Sequence, residues 1–577
     1  MSRVDAHLRL ILGCLEQKDG DRLKEFFVLD LDNVPPSSRQ VFEQLHHELN
    51  NNYPASKNAA LSTKVKQFMP MDKLDKFHAP FTNSVIQYLR YLRDYLSNDN
   101  LAKAENIEKL VKQCIGTLDK DPYGAVMIPL VLSFVNVLRY IAINLDRNPD
   151  LVSEGKVKTS SEGDEGRITF VENTANIVRE AFNRCLLHSK PDQPPNAESA
   201  TSGIYSTINS SMKLYDRVGK LGNLTFLLRA LDQKSPPLSY YPAAQRVTFL
   251  YYLGRFHFAN NHFYRATQTL QAAYSQCHRD AVKHRKQILI HLIAANMCLG
   301  RLPGSIVILD QAAHDISKPF IQLSQIIKSG DIGTFRTFLD YTSSHNSEAQ
   351  WFLSKKILLQ LRNRCEVLVW RTLVYRTMKY AGSHNSEKGV MPFVRYETVV
   401  EAAQYSFFRA RQRILQQANG TSHHNNPNYP SYKDPDFDGY EDGNDSASDS
   451  GSHHSWNEDV ADSNPDVPTV EEINTIVLSL ISQGFMVGFV QHTGDPTFAR
   501  SRFLIPMKNR LSMGATDAQN RWKEIGFPNI WSVIMEREWE NDEGMVPGWV
   551  TQEKVNKILE ERGRPRVVHL QNAKAIG

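Results

Sequence analysis

Few residues in this chain have the types and spacing that chemistry needs. Two histidine pairs, His423-His424 and His453-His454, offer nitrogen donors to a metal. No spaced cysteine or carboxylate in a fixed frame accompanies them, so no metal site is expected there. Six cysteines, Cys14, Cys114, Cys185, Cys277, Cys298 and Cys365, are scattered, and no two have CxxC spacing. In a chain this long that pattern predicts reduced, buried thiols that pack as small hydrophobes in the cytosol or nucleus. There is no GxxxxGKS/T phosphate loop, no HExxH and no GxSxG. The expectation is therefore a non-enzyme with no catalytic residues, no cofactor and no metal.

The charged residues point to binding. Arg409, Arg411 and Arg413 close a helical run, Arg500 and Arg502 alternate along a strand-like segment, and Lys508 and Arg510 follow. Lys355, Lys356, Arg362, Arg364, Arg371, Arg376 and Lys379 lie upstream. Convergence of these groups would make a non-specific, salt-sensitive phosphate patch. The competing reading is a solvated helix face, or pairing with carboxylates. A net charge of +4 decides neither way, because patches matter more than totals. From Asp434 to Asp466 the chain carries eleven acidic residues and no Lys or Arg. Such composition buries too little apolar area to offset chain entropy, so 416–467 is expected to be disordered. Its charge would compete with nucleic acid for a basic surface, or act only as a solvated spacer.

These groups must be positioned by helices. QVFEQLHHEL (40–49), VIQYLRYLRDYL (85–96) and AENIEKLVKQCI (104–115) repeat apolar residues at three and four. ITFVENTANIVREAFNRCLL reads as one helix, between polar stretches at 147–167 and 189–203. The N-terminal MSRVDAHLRLILGCLEQKDG is spaced like an amphipathic helix and lacks a secretory layout. AVMIPLVLSFVNVL (125–138) falls short of the roughly 18 residues a membrane span needs and contains Pro129 and Asn136. It reads as a buried core helix, and no membrane partner is expected.

FLYYLGRFHFANNHFYRATQTLQAAYSQC (249–277) reads helix, Asn-Asn turn, helix, with small Gly254 and Ala266 allowing close approach. QILIHLIAANMCLGRLP (287–303) and KPFIQLSQIIKSGDIGTFRTFLD (318–340) repeat the theme. A long helical run is expected over 351–380. In 467–506, Thr469 and Glu472 have capping-box spacing, and Ile473, Ile476, Val477, Leu480 and Ile481 form one stripe. Gly484 can end that helix. FMVGFVQ and TFARSRFLI then read as a β-hairpin. The face opposite the stripe carries Glu471, Glu472, Asn474, Thr475, Ser479, Ser482 and Gln483 and no cation. Major-groove reading by this helix is therefore not expected. TQEKVNKILEE, near the C-terminus, reads as a further helix.

Taken together, YYLGRFHFANNHFYRATQTLQAAYSQCH, RKQILIHLIAANMCLGRLP and INTIVLSLISQGFMVGFVQH resemble the PCI-domain family of COP-nine signalosome subunit twelve and its mRNA-export-complex relatives. The resemblance covers about 205–506. It implies a mainly α fold, with stacked TPR-like helical hairpins followed by a winged helix with a small β-hairpin. The expected organisation is a helical region 1–204, repeats over 205–345, a winged helix from 346–415 and 468–506, the acidic insert 416–467 and an extension 507–577. The insert and the extension depart from the family pattern. The implied function is a scaffold subunit of a nuclear transcription-coupled mRNA-export assembly. It would pair through its winged helix with a second PCI subunit, at a surface expected to include Phe485, Val487, Phe489 and Phe503. It would also hold a small acidic Sem-type protein and contact RNA or DNA without sequence preference. The alternatives are a peripheral signalosome subunit acting in cullin deneddylation and a free-standing helical-repeat adaptor.

Overall fold

Apolar residues at three- and four-residue spacing become helices along most of the chain. The computed structural model describes residues 2–29, 36–69, 71–95, 100–147, 169–191, 193–303, 311–314, 316–342, 346–383, 391–420, 468–492, 501–505 and 522–534. The polar stretch at 148–168, the insert from 421 to 467 with both histidine pairs, and TQEKVNKILEE lie outside the described residues. The chain divides into two compact units, Met1–Tyr252 with Met545–Gly577, and Leu253–Gly544.

The first unit is helical throughout its described part. It comprises α1 (Arg3–Glu16), α2 (Gly20–Glu25), α3 (Pro36–Asn52), α4 (Asn58–Phe68), α5 (Met71–Arg93), α6 (Asn100–Ile115), α7 (Gly124–Arg147), α8 (Phe170–Leu186), α9 (Ile204–Val218), α10 (Leu224–Lys234) and most of α11 (Ala243–Ala259). Side-chain caps start several of them. The Ser2 hydroxyl accepts from the Asp5 N–H before α1, and the Thr169 hydroxyl accepts from the Glu172 N–H before α8. Each such cap contributes roughly 0.5–2 kcal/mol. Helix α7 is long and apolar enough to cross a membrane by length and composition. It contains Pro129, and Met127, Leu130, Phe134 and Leu138 are buried. It packs against α2, α6 and α8, the placement expected of a core helix.

The second unit holds the repeats and the winged helix. Helix α11 turns through Asn260-Asn261 into α12 (Phe263–Gln276), with Asn261 at φ 62°. A Cβ on Gly254 would collide with Leu270, so only glycine permits this approach of the two helices. Then come α13 (Val282–Cys298), α14 (Ser317–Ser329) and α15 (Ile332–Phe338). Gly330 ends α14 in the left-handed region, and the Asp331 carboxylate accepts from the Thr334 N–H to start α15.

The expected run over 351–380 is two helices, α16 (Ser347–Ser354) and α17 (Leu358–Ala381). The break falls at Lys356, whose φ of 57° cannot continue a right-handed helix. Strand β1 (Phe393–Arg395), α18 (Tyr396–Gly420), α19 (Val470–Ser482), β2 (Phe489–Gln491) and β3 (Arg502–Leu504) complete the winged helix. Helix α18 continues to Gly420, so 416–420 extends a helix and does not begin the insert. Helix α19 has the full capping box between Thr469 and Glu472, and Ile473, Val477 and Leu480 are buried. All six cysteines are free and buried.

Candidate nucleic-acid and partner interface

The sheet of the winged helix has the order β1-β3-β2, all antiparallel. The register aligns Phe393, Leu504 and Phe489 in one row, Val394, Phe503 and Val490 in the next, and Arg395, Arg502 and Gln491 in the third. Alternation sends the middle row to one face and the outer two rows to the other. Val394 and Phe503 are buried, so their face meets the core. The opposite face carries Phe393, Phe489 and Leu504 beside Arg395, Arg502 and Gln491, none of them fully buried. The Arg502 guanidinium lies 4.7 Å from the centroid of the Phe393 ring. Its Nε is shielded from solvent and has no hydrogen-bond acceptor.

This geometry sorts the candidate interface residues. Val487 and Phe489 are 41% and 45% exposed. Phe485 and Phe503 are buried and serve the core, which corrects their expected place at a surface. Hairpin spacing alone did not say which face points inward. The end of α19 supplied that answer, because Gly484 (φ 71°) turns the chain so that Phe485 and Met486 fold under.

The cations scatter more than expected. Arg409, Arg411 and Arg413 are exposed on α18. Arg409 reaches to 5.8 Å from the Tyr405 ring centroid, and Tyr405 and Phe408 are themselves exposed. Arg413 is engaged elsewhere, donating to Thr334 Oγ1 at 2.9 Å and lying 3.5 Å from Asp331. Arg500, Lys508 and Arg510 lie outside the described residues. Two upstream cations donate to backbone carbonyls, Arg371 from a half-buried position and Arg376 from an exposed one. Arg371 donates to the carbonyls of Phe485 (3.0 Å) and Pro528 (2.7 Å), and burial lowers its pKa to about 10. Arg376 donates to the Ser329 carbonyl at 2.9 Å. Arg364 stacks 5.3 Å from the Phe263 ring. The exposed face of α19 presents Glu471, Glu472, Thr475, Leu478, Ser479 and Ser482, and no cation among the described residues.

Two features escaped the sequence. Arg395 sits on a three-residue strand between helices, too short for periodicity to register. Residues 522–534, in the extension, strap the repeats to the winged helix within the second unit. The Val487 N–H donates to the Gly526 carbonyl at 2.9 Å, and Phe527 packs on Tyr375 and Phe503. Further along, the Arg301 guanidinium lies 3.2 Å from the Trp531 ring centroid. Gly300, at φ 75°, leaves the space that Ile530 fills. Among the described residues, no group of three or more His, Cys, Asp or Glu is placed to hold a metal ion.

Comparison with known proteins agrees with helical hairpins running into a winged helix. The chain is 24% identical over 421 residues to a Protein CSN12 homolog of Neurospora crassa, covering 70% of this chain and 88% of that protein. A PCI domain-containing protein of Schizosaccharomyces pombe is 24% identical over 371 residues, covering 63% and 76%. PCI domain-containing protein 2 of Xenopus laevis is 26% identical over 324 residues, covering 55% and 74%. These relatives make the chain similar to CSN12-like PCI-domain proteins. No family model matches it. The hairpins α11–α12 and α14–α15 fit the helical repeat of such proteins, and β1 through β3 with α17, α18 and α19 fit the winged helix.

Proposed function

We propose that this PCI protein is a non-catalytic scaffold subunit of a nuclear, transcription-coupled mRNA-export assembly. In this reading it pairs through its winged helix with a second PCI subunit, holds a small acidic Sem-type protein, and contacts RNA or DNA without sequence preference. The observation that carries the pairing is the exposed apolar pair Val487 and Phe489 at the start of edge strand β2. Exposed apolar side chains beside an open strand edge favour association. The nucleic-acid contact is supported by Arg395, Arg409, Arg411 and Arg502 on the winged helix, while the acidic face of α19 disfavours major-groove reading. A tagged chain should retain a second PCI subunit after nuclease treatment, and Phe489→Asp should release it. Retention undiminished by Phe489→Asp would remove β2 from the interface.

The name of the Neurospora relative favours a second reading, a peripheral subunit of the COP-nine signalosome acting in cullin deneddylation. Loss of the chain would then raise the modified cullin fraction, and signalosome PCI subunits would co-purify. Both readings use one architecture, so cellular partners decide between them.

A further inference from the structure

We propose that Cys298 and Cys365 form a reversible disulfide, made with hydrogen peroxide as oxidant, that staples a repeat helix to the winged helix. The inference does not depend on the assembly proposed above.

Cys298 is the last residue of α13, and Cys365 stands in the first half of α17. The two helices pack on each other. Both side chains are buried, and their thiols are in hydrogen-bond contact with each other. The Cys365 Sγ also reaches to 3.9 Å from the carbonyl of Met297, the residue before Cys298. Two of the other buried cysteines have hydroxyl neighbours instead, Cys114 beside Ser84 and Cys185 beside Thr207. A disulfide places its sulfurs about 2 Å apart, with Cα atoms within about 7 Å. Facing thiols on two packed helices approach that geometry, and a buried cysteine with no sulfur neighbour does not.

Closed, the pair is unreactive. Burial pushes the Cys298 thiol well above its usual pKa, the Cys365 thiol beside it adds to the rise, and the Arg364 charge opposes it. A thiol is a poor nucleophile compared with its thiolate. The reaction therefore waits on local opening, which is easiest at a helix end. Helix α13 ends at Cys298, and Gly300 follows at φ 75°. Opening lets water reach Cys298, where the Arg364 guanidinium favours the thiolate. The thiolate attacks one peroxide oxygen, the O–O bond breaks, and hydroxide leaves and takes a proton to become water. Cys298 is now a sulfenic acid. The Cys365 thiol gives up its proton, its sulfur attacks the Cys298 sulfur, the S–O bond breaks and a second water leaves. In sum, two thiols lose two electrons and two protons, and one hydrogen peroxide becomes two waters. Because Cys365 is already adjacent, this capture outruns further oxidation to sulfinic acid.

The position gives the bond a consequence. Just past Cys298, Gly300 and Arg301 seat Ile530 and Trp531 of the strap. Further along α17, Arg371 donates to the carbonyls of Phe485 and Pro528. The disulfide ties together the two helices that hold the strap and, through Gly526, the Val487 end of the wing.

The test treats the folded full chain with hydrogen peroxide, blocks remaining thiols with N-ethylmaleimide after unfolding, and maps tryptic peptides by mass spectrometry. The expected product joins the Cys298 and Cys365 peptides, is lighter by two hydrogens than the two apart, and is split by dithiothreitol. Cys14, Cys114, Cys185 and Cys277 should carry maleimide. The oxidised chain should melt roughly 5–10 °C above the reduced one, with slower hydrogen exchange at the Val487 amide. Cys365→Ser should show no peroxide-induced rise and should leave a Cys298 sulfenic acid that dimedone traps. The peptide map of wild type needs no variant, so it decides the matter even if Cys365→Ser fails to fold. Maleimide on both Cys298 and Cys365, after exposure that turns the exposed Met391 into its sulfoxide, overturns the proposal. Sulfinic acid at either cysteine without the linked pair overturns it as well. A linked pair with unchanged melting and exchange would contradict the staple.

Discussion

His257, on α11, is fully buried and neither ring nitrogen has a hydrogen-bond partner. Burial lowers its pKa to about 3, with the nearby Arg265 and His262 charges adding to the effect. His291 is pushed to about 3 and His7 to about 4, both chiefly by burial. A histidine whose folded pKa is depressed stays neutral in the fold, while the unfolded chain takes up the proton. Stability from these groups is therefore intact above about pH 6.5 and is lost as pH falls toward 3–4. The slope is about 1.4 kcal/mol per pH unit for each histidine. His257→Leu should leave stability at pH 7.5 within about 1 kcal/mol and raise it by about 1–2 kcal/mol at pH 5 relative to wild type. Urea unfolding at the two pH values checks this, and an equal difference at both would contradict it. At the same scale, Phe503→Ala should cost about 3–5 kcal/mol, while Phe489→Ala should change stability by less than about 1 kcal/mol. Thermal melts of the two variants separate core from surface. Sequence reasoning placed both phenylalanines at an interface, because alternation marks two faces without saying which one meets the core. It read the Thr469–Glu472 capping box correctly because that motif is decided within four residues.

Among the elements, helices and hairpin turns were legible because their signals are local. Gly330 with Asp331, Asn260 with Asn261, and Gly484 each mark a turn that the backbone takes. The break at Lys356 was not legible, since nothing in its type favours a positive φ. The strap at 522–534 was also hidden. Its anchors are far apart in sequence, as with Arg371 and Pro528, 157 positions apart. Burial of Trp522 and Phe527 and the stacking of Trp531 on Arg301 make the strap part of the second unit's core. Trp531→Ala combined with Ile530→Ala should destabilise the second unit by roughly 2–5 kcal/mol. It should also speed hydrogen exchange at the Val487 amide, which bonds the Gly526 carbonyl. Unchanged exchange at Val487 would show that the wing holds its place without the strap.

At the scale of the molecule, a net charge of +4 includes the eleven acidic residues between Asp434 and Asp466. The stretch 420–466 holds these and Lys433, a net −10, so without it the remaining chain would carry +14, since removing −10 from +4 leaves +14. Deleting 420–466 should therefore strengthen RNA binding at low salt, and the gain should fade near 0.15 M salt, where screening acts over about 8 Å. Fluorescence anisotropy at two salt concentrations measures it, and equal affinities would reduce the segment to a spacer. The fold class was legible at this scale, because repeated hairpins followed by a capped helix and a wing form an ordered series of local signals. The division into compact units was not. Helix α9 packs on α8, a pairing that no local pattern encodes, and both lie in the first unit with α10. The proposed scaffold role rests on pairing through the winged helix. Tagged wild-type and Phe489→Asp chains recovered from nuclear extract, with nuclease and then mass spectrometry, test it most directly. Wild type should retain an export-complex PCI subunit and a small acidic protein after nuclease, and Phe489→Asp should lose the PCI subunit. Recovery of no PCI subunit with either chain would contradict it.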